Sequence, residues 1–105
     1  MNTPKQLKGA SVNLLILAML QKSDCYGYEM ALHLEKLSEG KLKWKAVSMY
    51  PVLKKMEQAE LIEAYWKIEG FDRPRKYYRI LEKGIDLLEK EKKEWELMHS
   101  LISKM

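Results

Sequence analysis

The chain has 105 residues, of which 47% are apolar and 32% are charged, which predicts one folded domain and excludes a disordered chain. The formal net charge is only +4, so the placement of charge along the chain is more informative than its total. The single cysteine, Cys25, excludes a disulfide framework, and the longest apolar run, Leu14–Leu20, is too short to span a bilayer. We therefore expect a cytoplasmic protein without a metal, another cofactor or a membrane partner.

The N-terminal part of the chain predicts two helices. Thr3-Pro4 pairs a capping residue with a proline at the first helical position, and apolar residues then recur at helical spacing to about Gln21. Ser23-Asp24 predicts the cap of a second helix, which continues to Leu37 and ends before Gly40.

The next segment predicts a strand and a third helix. Leu42–Lys45 alternates apolar and basic residues, which is typical of a short strand. In the third helix, roughly residues 47–59, one face is apolar: Met49, Val52, Leu53 and Met56. The opposite face presents a polar and basic set of side chains: Ser48, Tyr50, Pro51, Lys54, Lys55 and Gln58.

A β-hairpin is predicted after the third helix. Ile62–Ile68 alternates and is rich in residues that favour strands, and Arg75–Ile80 alternates again. The segment between them contains Gly70 and Pro74, which are typical of a turn. The tip and the returning strand are basic.

A long amphipathic helix is predicted from Leu81 or Glu82 to Ser103. A small domain has little core left for such a helix to cover, so we expect its apolar face to meet a partner, most simply a second copy of the chain. The apolar stripe consists of Ile85, Leu88, Trp95, Met98, Leu101, Ile102 and Met105.

Two blocks without any acidic residue carry the positive charge. Residues 41–55 have a net charge of +5 and residues 73–80 of +4, and the block between them has a charge of −4. Clusters of lysine and arginine are typical of nucleic-acid binding through phosphate neutralisation, and an ordinary solvated surface is the alternative.

The order of the predicted elements is that of a winged helix-turn-helix: a mainly α fold with a small β-hairpin and a long C-terminal helix. In that fold the third helix lies in the DNA major groove, and the hairpin, or wing, reaches the flanking DNA. The two basic blocks fall on these two elements, which favours DNA binding over a merely solvated surface.

Three segments, in this order and spacing, resemble motifs of the PadR family of transcriptional regulators. They are Tyr26–Met30, Met49–Glu57, and Arg75–Ile80 followed by Gly84. The chain departs from the family pattern at three places. Glu60 stands where a glycine is usual, Leu81 stands where a capping threonine is usual, and the wing tip, Phe71-Asp72-Arg73-Pro74, is less glycine-rich than usual.

The resemblance covers about residues 10–95 and is closest to the short subgroup of the family. It implies a homodimeric repressor that binds operator DNA. Residues 1–80 would form the winged helix-turn-helix domain, and residues 81–105 the dimerisation helix, within one compact unit.

The predicted DNA contacts lie on the polar face of helix three, just before that helix, and in the wing. Lysines are better suited to positioning the protein on phosphates than to reading bases, and solvation is the alternative for each of them. Lys5 and Lys8 are weaker candidates. The predicted DNA-binding residues are Lys43, Lys45, Ser48, Tyr50, Lys54, Lys55, Arg73, Arg75 and Lys76.

Trp95 lies in the middle of the terminal apolar stripe. It matches a position where some multidrug-binding members carry a tryptophan at the dimer interface, so the resemblance implies a small aromatic or lipophilic ligand stacked between two copies of Trp95. The alternative is an interface anchor without a ligand, because tryptophan is enriched at interfaces.

Several other residues have simple structural interpretations beside functional ones. The tyrosines Tyr26, Tyr28, Tyr77 and Tyr78 are expected to pack rather than to stack on bases. Cys25 is expected to be structural rather than a redox sensor.

The sequence thus predicts a DNA-binding transcriptional regulator and no enzyme, since no phosphate-binding glycine loop, nucleophile elbow or Cys/His cluster is present. The regulator would be a repressor released from DNA by the ligand. The alternative is a winged-helix module that binds another protein and has no specific DNA target.

Overall fold

A computed structural model describes residues 9–68, 70 and 73–105. The predicted mainly α architecture with a hairpin and a long terminal helix is confirmed. The predicted start of the first helix at Thr3-Pro4 lies outside the described residues. The elements are α1 (Gly9–Lys22), β1 (Cys25–Tyr26), α2 (Gly27–Leu37), α3 (Ala46–Gln58), β2 (Ile62–Lys67), β3 (Arg75–Ile80) and α4 (Glu82–Lys104).

The strands form one antiparallel sheet in the order β1-β3-β2. The predicted strand at Leu42–Lys45 is wrong, because this segment pairs with no strand within the part of the chain that the structure describes. Its alternation has another cause: Trp44 is buried in the core, whereas Lys43 and Lys45 face solvent. The strand that joins the two hairpin strands in the sheet is instead β1, which has only two residues.

The predicted cap of α2 at Ser23-Asp24 is also wrong. Tyr26 is the N-cap residue, and its backbone N–H donates to the Glu29 carboxylate at 3.4 Å. The Asp24 carboxylate accepts a hydrogen bond from the Tyr65 hydroxyl at 2.5 Å instead. Asp24 cannot cap α2, because β1 lies between it and the start of the helix. Its side chain binds Tyr65 of β2 instead.

The core lies where the helices meet the inner face of the sheet. α3 contributes one row of buried side chains at helical spacing, as the sequence predicts, and β2 and α4 each contribute a fully buried residue. The largest fully buried side chains are Ile16, Leu17, Met30, Met49, Leu53, Met56, Ile62 and Leu88.

A close contact fixes α4 to the winged domain at its first turn. A Cβ atom added at Gly84 would lie 2.3 Å from the Leu61 carbonyl oxygen and 2.9 Å from Cγ1 of Ile80. Glu60 precedes this point with a left-handed φ of 63°, the conformation that a glycine would adopt without strain. Glu60 therefore adopts the left-handed conformation although it is not a glycine. The first turn of α4 packs directly on the backbone of Leu61.

Beyond the contact at Gly84, α4 extends away from the core. Gly84 and Leu88 are its buried residues, and every residue from Lys92 to Met105 is exposed. At 1.5 Å per residue, a helix of 23 residues is about 34 Å long. The apolar stripe on the second half of α4 is thus not buried by any other part of the chain that the structure describes.

Candidate nucleic-acid interface

The polar face of α3 is open to solvent. Met49, Leu53 and Met56 anchor the helix in the core, and the predicted contact residues Ser48 and Lys54 are exposed on its other side. A helix anchored along one face in this way presents the opposite face as a rigid surface.

A groove of about 1020 Å³ separates α3 from the wing, which comprises β2, β3 and the connection between them. We call it the α3–wing groove. The first turn of α2 closes one side of it. The lining residues are Tyr26, Tyr28, Tyr50, Lys54, Glu57, Gln58, Trp66, Arg73, Pro74, Arg75, Lys76 and Tyr78.

The groove brings together five of the nine predicted DNA-binding residues: Tyr50, Lys54, Arg73, Arg75 and Lys76. The other four are exposed but do not line it. They lie at the start of α3, in the segment before it, or on another side of the helix: Lys43, Lys45, Ser48 and Lys55.

Tyr50 is held in place by the first turn of α2. Its ring lies so close to the Gly27 backbone that a Cβ atom added at Gly27 would be 2.9 Å from ring carbon Cε1. The ring nevertheless keeps 45% of its surface exposed. Gly27 therefore allows the hydroxyl end of the Tyr50 ring to lie close to the backbone of α2 while the side chain still lines the groove.

The strand register gives the wing two different faces. Trp66 pairs with Lys76, and Tyr65 pairs with Tyr77 at the next position. Because side chains alternate along a strand, Trp66 and Lys76 lie on the face that continues from the core toward α3. The tyrosine pair lies on the outer face.

On the outer face, cations lie over tyrosine rings. The Arg75 guanidinium lies 4.7 Å from the Tyr26 ring centroid and donates to the Tyr26 hydroxyl. The Arg79 guanidinium lies 4.9 Å from the Tyr65 ring. Such contacts stabilise the cation and restrict its rotamers. Arg75 is thus pre-positioned at the edge of the groove rather than freely solvated.

Arg79 and Tyr65 also have polar partners that raise their pKa values. The Glu63 carboxylate accepts from Arg79 Nε at 2.5 Å and raises the pKa of Arg79. The hydrogen bond to Asp24 raises the pKa of Tyr65. Arg79 therefore belongs to an ion pair on the outer face.

The tyrosines of the family-like motifs differ in burial. Tyr77 and Tyr78 are buried, as expected for packing, and burial raises the pKa of Tyr78 to about 12, with smaller contributions from Glu57 and Tyr50. Tyr26 packs edge-on against Tyr77 with ring centroids 5.3 Å apart. Tyr28 is exposed and lines the groove, so the packing interpretation does not extend to it.

Sequence reasoning missed Trp66 and Gly27 in the groove region, and it predicted that Tyr28 packs in the core. Trp66 is 67% exposed and lines the groove, Tyr28 lines it from α2, and Gly27 supports Tyr50. Trp66 could have been found from the alternation of the hairpin, since a register pairing it with Lys76 puts both on one face. No sequence signal connects Gly27 with Tyr50, because that contact joins two helices.

The structure offers no site for a metal among its described residues, which contain no group of three potential ligands. None of the described helices is long and apolar enough to cross a membrane. Burial, and then the charge of Glu29, raise the pKa of the Cys25 thiol. A redox-sensing cysteine needs the opposite shift, so Cys25 fits the structural interpretation.

Trp95 lies far along α4, where its ring stacks on His99 with centroids 5.2 Å apart and an angle of 7° between the planes. The indole is 60% exposed. A separate small cavity of about 80 Å³ lies between α1 and α4 and does not include Trp95; it is lined by Asn13, Leu14, Leu17, Leu87 and Glu91.

Three helices, a basic hairpin beside the third of them, and a long terminal helix define a winged helix-turn-helix protein. The model of the Transcriptional regulator PadR-like family matches residues 16–90, and the chain belongs to this family. Its members are transcriptional regulators, as the motif resemblance implies.

Solved structures of related regulators are similar over almost the whole chain. A PadR family transcription regulator from Clostridium difficile is 34% identical, with a TM-score of 0.76 and coverage of 89% of this chain and 95% of that one. A PadR-like regulator from Bacillus cereus is 29% identical, with a TM-score of 0.80 and coverage of 90% of each chain. Bacillus subtilis PadR in complex with operator DNA is 22% identical, with a TM-score of 0.70 and coverage of 90% of this chain and 60% of that one.

Proposed function

We propose that this chain is a homodimeric transcriptional repressor that binds operator DNA with α3 and the wing. The observation that carries the proposal is the α3–wing groove, in which cations from both elements face one space. Lys54 comes from α3, and Arg73 and Lys76 come from the wing. These are the two elements that contact DNA in winged helix proteins.

The arrangement of charge supports a phosphate-binding role for this surface. Among the residues that the structure describes, four cations and one carboxylate, that of Glu57, line the groove. Lysines and arginines on one concave surface concentrate positive potential, which favours a phosphodiester strand over a neutral ligand. The solved complex of Bacillus subtilis PadR with operator DNA supports the same partner class.

The test uses the DNA upstream of the protein's own gene. We expect Lys54→Ala combined with Arg75→Ala to weaken binding and to lower the slope of log affinity against log salt by about 3.6, because each of the two protomers loses two phosphate contacts and each contact accounts for roughly 0.9. The control is Lys83→Ala combined with Lys90→Ala, which removes the same charge from exposed positions on α4.

Equal effects of the two double variants would contradict the assignment of the groove, since net charge alone would then explain the loss. Absence of DNA binding by the wild type, together with a monomer in solution, would favour the alternative module that binds another protein.

We propose further that α4 makes the dimer and that residues 81–105 act as the dimerisation helix beside a DNA-binding domain of residues 1–80. The exposed apolar stripe of α4 continues the face that Gly84 and Leu88 bury against the domain. A second copy of α4 would cover Trp95 and Ile102 without any change in the fold.

The proposed effector is a planar aromatic compound held between the two Trp95 rings of the dimer. The flat stacking of Trp95 on His99 and the exposure of the indole support this role. A ligand that binds one arrangement of the two α4 helices better than another would shift the spacing of the α3 helices and release DNA.

Tryptophan fluorescence tests the ligand. We expect the planar dye proflavine to quench the emission of the wild type more than that of a Trp95→Phe variant. Equal quenching in both proteins would contradict the effector site and leave Trp95 as an interface anchor.

A further inference from the structure

Trp66 is an exposed aromatic side chain in a basic groove. It is 67% exposed, lines the α3–wing groove, and pairs across the hairpin with Lys76. On the same face of the sheet, Ile62 and Tyr78 are buried in the core. The alternation that buries those residues therefore carries Trp66 past the edge of the core into the groove.

The groove combines two kinds of chemistry. Its cations suit phosphate oxygens, whereas Trp66, Tyr28 and Tyr50 present aromatic surface that water covers in the free protein. The sugar–phosphate strand of a DNA duplex has both kinds of surface, with charged phosphates alternating with the apolar edges of deoxyribose. Tyr50 cannot turn freely, because its ring rests on Gly27.

We infer that Trp66 is a DNA-contact residue that packs its indole on the deoxyribose of the strand held between α3 and the wing, which gives part of the affinity independently of salt. The inference deepens the proposed function and rests on it. The contact is with the sugar, so it is made on any duplex sequence and adds affinity rather than base discrimination.

The experiment measures binding to a short duplex of mixed sequence over a range of salt concentrations. Trp66→Ala is expected to weaken binding about tenfold at every salt concentration, because apolar surface is lost but no counterion-releasing charge is. Lys76→Ala is expected to weaken binding and to lower the salt slope by about 2, because each protomer of the dimer loses one phosphate contact. The two neighbours on one face would thus give different signatures.

The matched control is Leu37→Ala, which removes a side chain of similar exposure (68%) at the end of α2, outside the groove. It should leave DNA affinity unchanged. Trp66→Ala with wild-type affinity would overturn the inference, and so would a reduced salt slope, which would mean that Trp66 acts only by positioning Lys76.

A fluorescence measurement keeps the inference testable if Trp66→Ala folds poorly. The duplex should change the tryptophan emission of the wild type and of Trp95→Phe, but not that of Trp66→Phe. An emission change in Trp66→Phe as large as that of the wild type would overturn the inference. Tighter binding of single-stranded DNA than of duplex DNA, with Trp66→Ala weakening only the binding of single-stranded DNA, would also overturn it. Failure of the wild type to bind any duplex would instead contradict the proposed function.

Discussion

Trp66 and Trp95 are similarly exposed, at 67% and 60%, but lie in different surroundings at two ends of the molecule. Trp66 lies beside Lys76 in a groove whose described lining residues have a net charge of +3. Trp95 lies on a helix whose residues 92–105 have a net charge of only +1 and continue an apolar stripe. Exposure alone therefore does not indicate a partner; the charge and shape around the ring do.

The two ends also differ in rigidity. Around the groove, Tyr50 rests on Gly27 and Arg75 is held by Tyr26, so the side chains are fixed before any ligand arrives. The second half of α4 has no such support from residues 9–68, 70 or 73–91, and all of its own residues from Lys92 onward are exposed. A pre-positioned surface suits recognition of a regular polymer such as DNA, whereas an unsupported apolar helix needs a partner to complete it.

The largest expected effect comes from adding charge to the apolar end. Met98→Glu with Ile102→Glu should convert the proposed dimer to a monomer, because the proposed interface would bury unpaired carboxylates, which cost several kcal/mol. Sedimentation equilibrium measures the change. Ser100→Glu with Ser103→Glu adds the same charge to the opposite side of α4, and a similar loss of dimer there would contradict the assigned face.

The stability of the contact between Gly84 of α4 and the backbone of Leu61 is expected to be sensitive to the addition of a single methyl group. Gly84→Ala places Cβ against the Leu61 carbonyl oxygen, so we expect the free energy of unfolding to fall by about 3 kcal/mol. Urea denaturation measures this. In the control, Gly70→Ala, the added Cβ meets nothing within 4 Å but φ is +61°, so the cost should be only about 1 kcal/mol.

A smaller effect should sharpen the description of the groove end. Gly27→Ala forces the Tyr50 ring to move, and we expect a cost of about 1–2 kcal/mol in the free energy of unfolding, with weaker DNA binding. In a Tyr50→Ala background the same substitution should cost much less, because the contacting ring is gone. Equal costs in both backgrounds would show that the contact does not position Tyr50.

A last expected effect concerns alkaline pH. Burial raises the pKa of Tyr78 to about 12, whereas an unfolded chain has a tyrosine pKa of about 10. The folded protein therefore keeps a proton that the unfolded chain releases, so stability should fall as pH rises from about 10 to about 12. Tyr78→Phe should flatten this dependence in thermal unfolding, and the exposed-residue control Tyr28→Phe should not.

Much of the fold is predictable from local patterns. The 3.6-residue periodicity of Met49, Leu53 and Met56 identified α3 and its buried face, and the alternation of Arg75–Ile80 identified β3. The same kind of pattern failed at Leu42–Lys45, because a buried Trp44 between two exposed lysines alternates as a strand does without pairing with one.

The groove was only partly predictable. The basic blocks indicated Lys54, Arg73 and Lys76, since charge is visible in any sequence. Trp66 and Tyr28 carry no charge and looked like ordinary strand and helix residues. Their shared groove depends on the hairpin register and on the packing of α2 beside α3.

The sequence by itself determined the four helices, the hairpin, the order of these elements, the family motifs and the apolar stripe of α4, because these follow from local periodicity and residue type. Only the tertiary structure decided that β1 joins the sheet at Cys25-Tyr26, that Gly27 supports Tyr50, and that Trp66 faces the groove beside Lys76. Those features are contacts between residues distant in the chain, and their geometry is set by packing rather than by local preference.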